Sequence, residues 1–368
     1  MKLWEDKIRR VVPYTPGEQP KRPVIKLNTN ECPYPPSPAV QEALDSLDTS
    51  DLRLYPDTEA TPLADALAEY YGVDPDQIFI GVGSDDVLAM AFMTFFQGEK
   101  PILFPDITYS FYDVWAQLFR IPYETVPLDE EFRMTREGYY RENGGVIFPN
   151  PNAPTAIAQD LDGIRDILDH NQDVIVIVDE AYVDFSSKPS ALALLEEYEN
   201  LLVVQTFSKS RAMAGMRIGY AFGSPELIRA MKDVKYSFNS YTMNLPAQTA
   251  GAAAVRDDAY FQDTVARVIH TREKTAAALK ELGFVFPPSD ANFLFASHRQ
   301  KPAREIYEEL KKRDIFVRYF DKPRISNYLR ITIGTDEQME TLLRQLKQIL
   351  GEFIAKDTLP SGERPLSS

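Results

Sequence analysis

A succession of short, unbroken apolar runs constrains this chain more than any other feature. QIFIGVG (77–83), KPILFPD (100–106), GGVIFPN (144–150), DVIVIVD (173–179), NLLVVQT (200–206) and RIGYAFG (217–223) are rich in Val, Ile and Phe. A strand with one wet face alternates apolar and polar residues, whereas a strand apolar at every position is buried on both sides. Stretches with helical periodicity lie between some of these runs, such as TPLADALAEYYG (61–72), stopped by Gly72, and LDGIRDILDHN (161–171). The pattern predicts an α/β fold, with a largely parallel sheet covered by helices on both faces. In such folds ligands sit at the carboxyl ends of the strands.

Both ends of the chain read differently. The first forty or so residues carry prolines at a density that opposes helices and central strands, which predicts an extended arm docked through Tyr14, Tyr34 and apolar neighbours. After a long helical stretch at about 256–282, strands (NFLFAS, IFVRYF, YLRITIG) and helices alternate in mixed order, which predicts a smaller α+β domain. The expected division is an arm and part of the small domain at 1–45, a large domain at 46–265 and a small carboxyl-terminal domain at 266–368.

Composition removes several classes of function. A net charge of −15 argues against nucleic acid as the main partner. Cys32 is the only cysteine, and the three histidines have no ligand spacing, so neither a disulfide nor a cysteine- or histidine-based metal centre is expected. As a residue, Cys32 reads as a small buried side chain before a nucleophile. MKLWEDKIRR lacks an apolar signal core and no run of eighteen apolar residues occurs, so the expected location is the cytoplasm, away from any membrane.

Chemistry-bearing residues gather just after the apolar runs. Asp179 and Glu180 end one run, where a carboxylate is costly unless a cation meets it; a helix cap or turn would also use such residues. Thr206, Ser208 and Lys209 end the next, offering hydroxyls and N–H groups to an anion. A desolvated lysine beside other cations can lose its proton, and a neutral amine attacks an aldehyde to form an imine. Arg217 follows between Gly215 and Gly219, where the backbone can approach a ligand closely. Asn152 lies in a rigid turn, as amide donor or turn-holder. Ser84 and Asp85 stand at a helix start, as anion site or simple cap. Tyr109 follows a strand, positioned to stack on a flat ligand or to pack in the core.

The order and spacing are more specific than any single piece. Asn152 precedes Asp179 by 27 positions, Asp179 precedes Lys209 by 30, and Lys209 precedes Arg217 by 8. With PYTPGEQP (13–20), LNTNECPYPPSP (27–38), RLYPD (53–57), VGSDD (82–86), PNAPT (151–155), VDEAY (178–182), TFSKS (206–210), AGMRIG (214–219), VRYF (317–320) and LRITIG (329–334), this series resembles the fold-type-I pyridoxal-phosphate aminotransferases. The resemblance covers nearly the whole chain and is nearest to the histidinol-phosphate branch.

That resemblance implies a seven-stranded, mostly parallel sheet in the large domain and pyridoxal 5'-phosphate as cofactor. Lys209 would be the Schiff-base lysine and proton shuttle, and Asp179 the partner of the pyridinium nitrogen. Asn152 and Tyr182 would bond the ring hydroxyl, and Tyr109 would stack on the ring. Ser84, Asp85, Thr206, Ser208 and Arg217 would surround the cofactor phosphate, joined by Tyr55 from the second subunit of a homodimer. Tyr14, Asn30, Asn292, Arg318 and Arg330 would face the substrate. Arg330 would take the carboxylate of glutamate, and Arg318 with Arg330 the phosphate of the other substrate. The implied reaction is amino transfer between L-histidinol phosphate and 2-oxoglutarate, giving imidazole acetol phosphate and L-glutamate. Aromatic amino-acid aminotransferases and threonine-phosphate decarboxylases of the same fold share the frame and stay open. A ligand-binding transcriptional regulator would carry an added basic segment, which this chain lacks. Two positions depart from the family's usual turn: Ala153 stands where a second asparagine is common, and Ala156 where glycine is usual.

Overall fold

The computed structural model describes residues 2–357. The chain forms two compact units. The first comprises the residues up to Pro16, Glu31–Ile269 and Pro287–Asn292; the second comprises Gly17–Asn30, His270–Phe286 and the residues from Phe293 on.

Strand β1 (Ile25–Leu27) belongs to the second unit. The next seven strands build the first: β2 (Ile78–Gly81), β3 (Ile102–Pro105), β4 (Tyr123–Val126), β5 (Val146–Pro149), β6 (Val176–Asp179), β7 (Leu201–Thr206) and β8 (Gly219–Phe222). They form one sheet in the order β2-β8-β7-β6-β5-β3-β4. β3 to β7 run parallel, and β8 lies antiparallel to both β7 and β2. The largely parallel sheet expected from the apolar runs is therefore present, with the seven strands that the resemblance implies. Run composition carries no strand direction, so the reversal at β8 was not readable.

The sheet is apolar on both faces because a helical layer covers each. Val176, Val178, Leu201 and Val203 pack with Leu63 and Leu67 of helix Thr61–Tyr71 and with Ile164 and Ile167 of helix Leu161–Asp169. Ile177, Leu202 and Val204 pack on the opposite face with Val87, Leu88 and Phe92 of helix Ser84–Phe95 and with Trp115 of helix Tyr112–Phe119. The strand period of two therefore turns Asp179 toward the second face and Glu180 toward the first. Fully burying one such Leu, Ile or Phe contributes about 1.5–3 kcal/mol.

In the second unit β9 (Phe284–Val285), β10 (Phe293–His298), β11 (Ile315–Tyr319) and β12 (Leu329–Thr332) join β1 in the order β1-β11-β12-β10-β9. Helix Ala303–Lys312 buries Ile306 and Leu310, and helix Asp336–Asp357 buries Leu342 and Leu346. The proline-rich start is less irregular than expected. Ile25–Leu27 is an edge strand parallel to β11, and Pro38–Asp45 is a helix. Ser37 caps that helix through the Ala39 N–H, and Pro38 sits in the first turn, where a missing N–H costs nothing.

Candidate active site

The carboxyl ends of β6 and β7 lie side by side, with Asp179 opposite Val204 in the parallel register. The turn Phe207–Ser208–Lys209 continues from β7, so Asp179 and Lys209 stand at the tips of neighbouring buried strands. Asp179 is 4% exposed. Its Oδ2 accepts from the Tyr112 hydroxyl at 2.8 Å and its Oδ1 from the Ala181 N–H at 3.3 Å. Burial pushes this carboxyl up to about 6. The bonds from Tyr112 and Ala181 and the Lys209 cation oppose that rise, and the Asp85 charge adds to it. A buried acid so balanced calls for a cationic partner.

Anion-binding groups converge on the same strand ends. The Thr206 hydroxyl donates to the Ile218 carbonyl (3.2 Å) and accepts from the Ser208 N–H (3.1 Å). Arg217 donates through Nη1 to the Ser208 hydroxyl (3.3 Å) and the Ala214 carbonyl (3.2 Å), and its Nη2 lies 3.6 Å from Asp85. Ser84 and Asp85 open helix Ser84–Phe95, where N–H groups lack an intrahelical acceptor by position. Glycines allow this convergence. Gly83 has φ +85°, and a Cβ there would stand 2.4 Å from Arg217 Nη2. A Cβ on Gly219 would stand 2.2 Å from Gly83 C and Ser84 N. Cation, hydroxyls, helix start and bare backbone together suit a phosphate monoester. With the amine of Lys209 and the acid of Asp179 beside them, they fit the three handles of pyridoxal phosphate: phosphate, aldehyde and ring nitrogen.

Tyr109 donates its hydroxyl to Asp85 Oδ1 at 2.8 Å, and burial with the Asp85 charge holds its proton well above the ordinary tyrosine value. Lys209 Nζ lies 5.6 Å from the ring centre of the buried Tyr182. Asn152 ties its own turn to the segment that follows β3. Its Nδ2 donates to the Ile107 carbonyl (2.9 Å) and to Thr155 Oγ1 (2.8 Å), and its Oδ1 accepts from Thr108 (3.1 Å). In the same turn Ala156 adopts φ +66°, a left-handed conformation glycine would take without steric cost.

The other expected positions spread further. Tyr14 stacks on Phe111 with ring centres 4.2 Å apart. Tyr55 is 81% exposed and stacks on Tyr241 at 4.4 Å. Asn292 is fully buried in the first unit. Within the second unit, Asn30 bonds Thr332 twice at 3.0 Å, through its N–H and its Oδ1. There Arg318 and Arg330 are cross-strand partners on β11 and β12, and Arg330 also donates to the Asn28 carbonyl (2.9 Å). Like charges placed opposite each other repel unless an anion joins them.

Tyr112 and the partners of Glu180 are not legible in the sequence. Tyr112 lies 67 positions before the acid it bonds, with no local signal to connect them. Glu180 accepts from Ser190 Oγ (2.5 Å), the Ala191 N–H (2.6 Å) and Gln205 Nε2 (2.9 Å). Gln205 Oε1 in turn accepts from the Tyr71 and Tyr220 hydroxyls.

A profile of the family described as aminotransferase class I and II matches residues 22–346. The chain is 49% identical over 350 residues to the histidinol-phosphate aminotransferase of Clostridium beijerinckii, covering 95% of this chain and 98% of that one. Among solved structures, the histidinol-phosphate aminotransferase of Sinorhizobium meliloti in complex with pyridoxal-5'-phosphate superposes with a TM-score of 0.82 at 24% identity, covering 90% of this chain and 92% of that one. The L-threonine-O-3-phosphate decarboxylase of Porphyromonas gingivalis gives a TM-score of 0.77 at 20% identity, covering 89% and 100%. The same fold thus carries more than one activity.

Proposed function

Since the chain belongs to the aminotransferase class I and II family, we propose that it moves an amino group between L-histidinol phosphate and 2-oxoglutarate, using pyridoxal 5'-phosphate bound at Lys209. Imidazole acetol phosphate and L-glutamate are the products. The observation that carries this reading is the pairing of Lys209 and Asp179 at adjacent strand ends beside an anion cradle, in a chain 49% identical to a histidinol-phosphate aminotransferase over nearly its full length.

When bound, the cofactor supplies an aldehyde for amines and a ring that accepts electrons as the α-proton leaves. Asp179 holds the ring nitrogen protonated, which offsets the burial of its own charge. Ser84, Asp85, Thr206, Ser208 and Arg217 hold the phosphate. Of these, Asp85 is itself an anion, so it contributes through its N–H and through its grip on Arg217 and Tyr109. Tyr109 lies against the ring. Tyr182 and Asn152 would take the ring oxygen, and the Asn152 amide also reaches Ile107 and Thr155. The Lys209 amine, once free, would take the α-proton from the substrate and hold it beside the reacting atoms. It is effective because it is tethered where the proton departs.

Arg318 and Arg330, with Tyr14, Asn30 and Asn292, are assigned to the substrate. A guanidinium pair accepts a phosphate or a carboxylate, which accounts for two unlike substrates in one enzyme. Tyr55, Leu52, Leu54, Phe238 and Tyr241 are apolar yet exposed, Tyr55 by 81% and Phe238 by 70%. A second copy covering them would make a homodimer, with Tyr55 reaching the partner's cofactor phosphate. We also propose a cytoplasmic setting; among the described residues no helix is long and apolar enough to cross a membrane.

The direct test compares kcat/KM for histidinol phosphate and phenylalanine with 2-oxoglutarate as acceptor. Preference for histidinol phosphate is expected. Preference for phenylalanine, or decarboxylation of threonine phosphate without amino transfer, would overturn the assignment.

A further inference from the structure

We propose that Tyr112 is a positioning residue for the reaction: its hydroxyl orients the Asp179 carboxylate and sets how strongly that carboxylate holds a proton. This rests on reading Asp179 as the acid that meets the ring nitrogen.

Tyr112 begins helix Tyr112–Phe119 and is fully buried. Its ring stands edge-on to Phe104 (centres 5.8 Å apart, 69°) and to Tyr109 (5.7 Å, 84°). This aromatic packing leaves the ring little freedom, so the hydroxyl is aimed at Asp179 Oδ2 at 2.8 Å. The Ala181 N–H anchors Oδ1. Each carboxylate oxygen is thus tied to a different element. A hydroxyl bonded to an ionised carboxylate draws electron density from it. Losing it should make Asp179 a stronger base that is less well aimed. The other charged groups that act on Asp179 are Asp85 from helix Ser84–Phe95 and Lys209 after β7, while Tyr109 and Tyr182 act on Tyr112 itself. Asp85 raises and Lys209 lowers its proton affinity, and the Tyr112 bond is the largest of the influences that lower it.

Tyr112→Phe removes only the hydroxyl. Tyr139→Phe is the control, because Tyr139 is equally buried, its hydroxyl has no partner, and it packs on the other face of the sheet. The first readout uses the cofactor-free protein. Infrared difference spectra of 13C-aspartate-labelled protein, with Asp179→Asn as the blank, give the titration midpoint of Asp179. Tyr112→Phe is expected to raise that midpoint by about one pH unit, and Tyr139→Phe to leave it in place. The second readout is pyridoxal-phosphate affinity against pH. Tyr112→Phe should weaken binding about fivefold near pH 6 and progressively less toward pH 8.5. Site-specific 3-fluorotyrosine at position 112 keeps the bond with a stronger donor and should move the midpoint down, so the inference can be tested even if the phenylalanine variant folds poorly. An unmoved midpoint, or an affinity loss equal at every pH, would show that Tyr112 only packs. If Asp179→Asn itself binds the cofactor like wild type, the underlying assignment of Asp179 has failed. A normal Asp179→Asn defect with an unmoved Tyr112→Phe midpoint overturns the Tyr112 inference alone.

Discussion

Replacing Glu180 by glutamine removes a buried carboxyl while keeping a side chain of the same shape. Glu180 is 1% exposed and lies on the sheet face opposite Asp179, with Ser190, Ala191 and Gln205 as donors. Burial pushes its carboxyl up to about 7 from an ordinary 4.5; the three donors oppose the rise and the Asp184 charge adds to it. A gap of that size corresponds to roughly 3 kcal/mol. Because the folded value lies above the unfolded one, the native state holds the extra proton between them. This contribution to stability is full below about pH 4.5 and gone above about pH 7. Glutamine carries no such dependence. It must donate where Glu180 accepted, and the Gln205 amide can turn over to receive it, since the Tyr71 and Tyr220 hydroxyls beyond can donate or accept. Urea unfolding of both proteins at pH 5, 6, 7 and 8 should therefore show the variant gaining on wild type by roughly 3 kcal/mol across the range. Glu180→Leu, which strands three donors, should be less stable than both at every pH. Parallel pH profiles for wild type and Glu180→Gln would refute the reasoning, because they would mean that the buried carboxyl does not titrate in this window.

Arg318→Ala is expected to raise KM for histidinol phosphate about tenfold or more while changing KM for glutamate less; equal effects in steady-state kinetics would remove Arg318 as a phosphate ligand. Gly219→Ala places a Cβ 2.2 Å from Gly83 C and Ser84 N. It should displace the cradle turn and weaken pyridoxal-phosphate binding at least tenfold, at a packing cost of about 1–3 kcal/mol; unchanged affinity would contradict the close packing. Phe238→Glu puts a charge into the exposed apolar set and should shift sedimentation toward the monomer, whereas an unchanged mass would place the contact elsewhere.

The parts of the fold legible in the sequence are those where burial leaves one choice. β6 and β7 are buried at every position because helices cover both their faces, so the apolar stretches VIVIV (174–178) and LLVV (201–204) announce themselves. β4 went unread because it is the sheet edge: Glu124 and Thr125 are exposed, and YETV shows no apolar run. Helix Pro38–Asp45 was hidden by a proline that reads as a break but sits harmlessly in the first turn. The resemblance singles out Asp179, Lys209 and Arg217 together because they flank neighbouring runs at a characteristic spacing. Tyr112 and the chain Glu180–Gln205–Tyr220 depend on which strands and helices become neighbours, and spacing alone does not encode that. At Asn152 the motif position suggests a ligand donor, and the fold also gives its amide to Ile107 and Thr155, which spacing alone does not encode.

Borohydride reduction of the pyridoxal-phosphate-loaded protein, followed by peptide mapping, tests the central claim most directly, since it fixes the cofactor on whichever amine holds it. One modified peptide, carrying the label on Lys209 and absent from Lys209→Ala, is the predicted result. A label on any other lysine, or none at all, would contradict it.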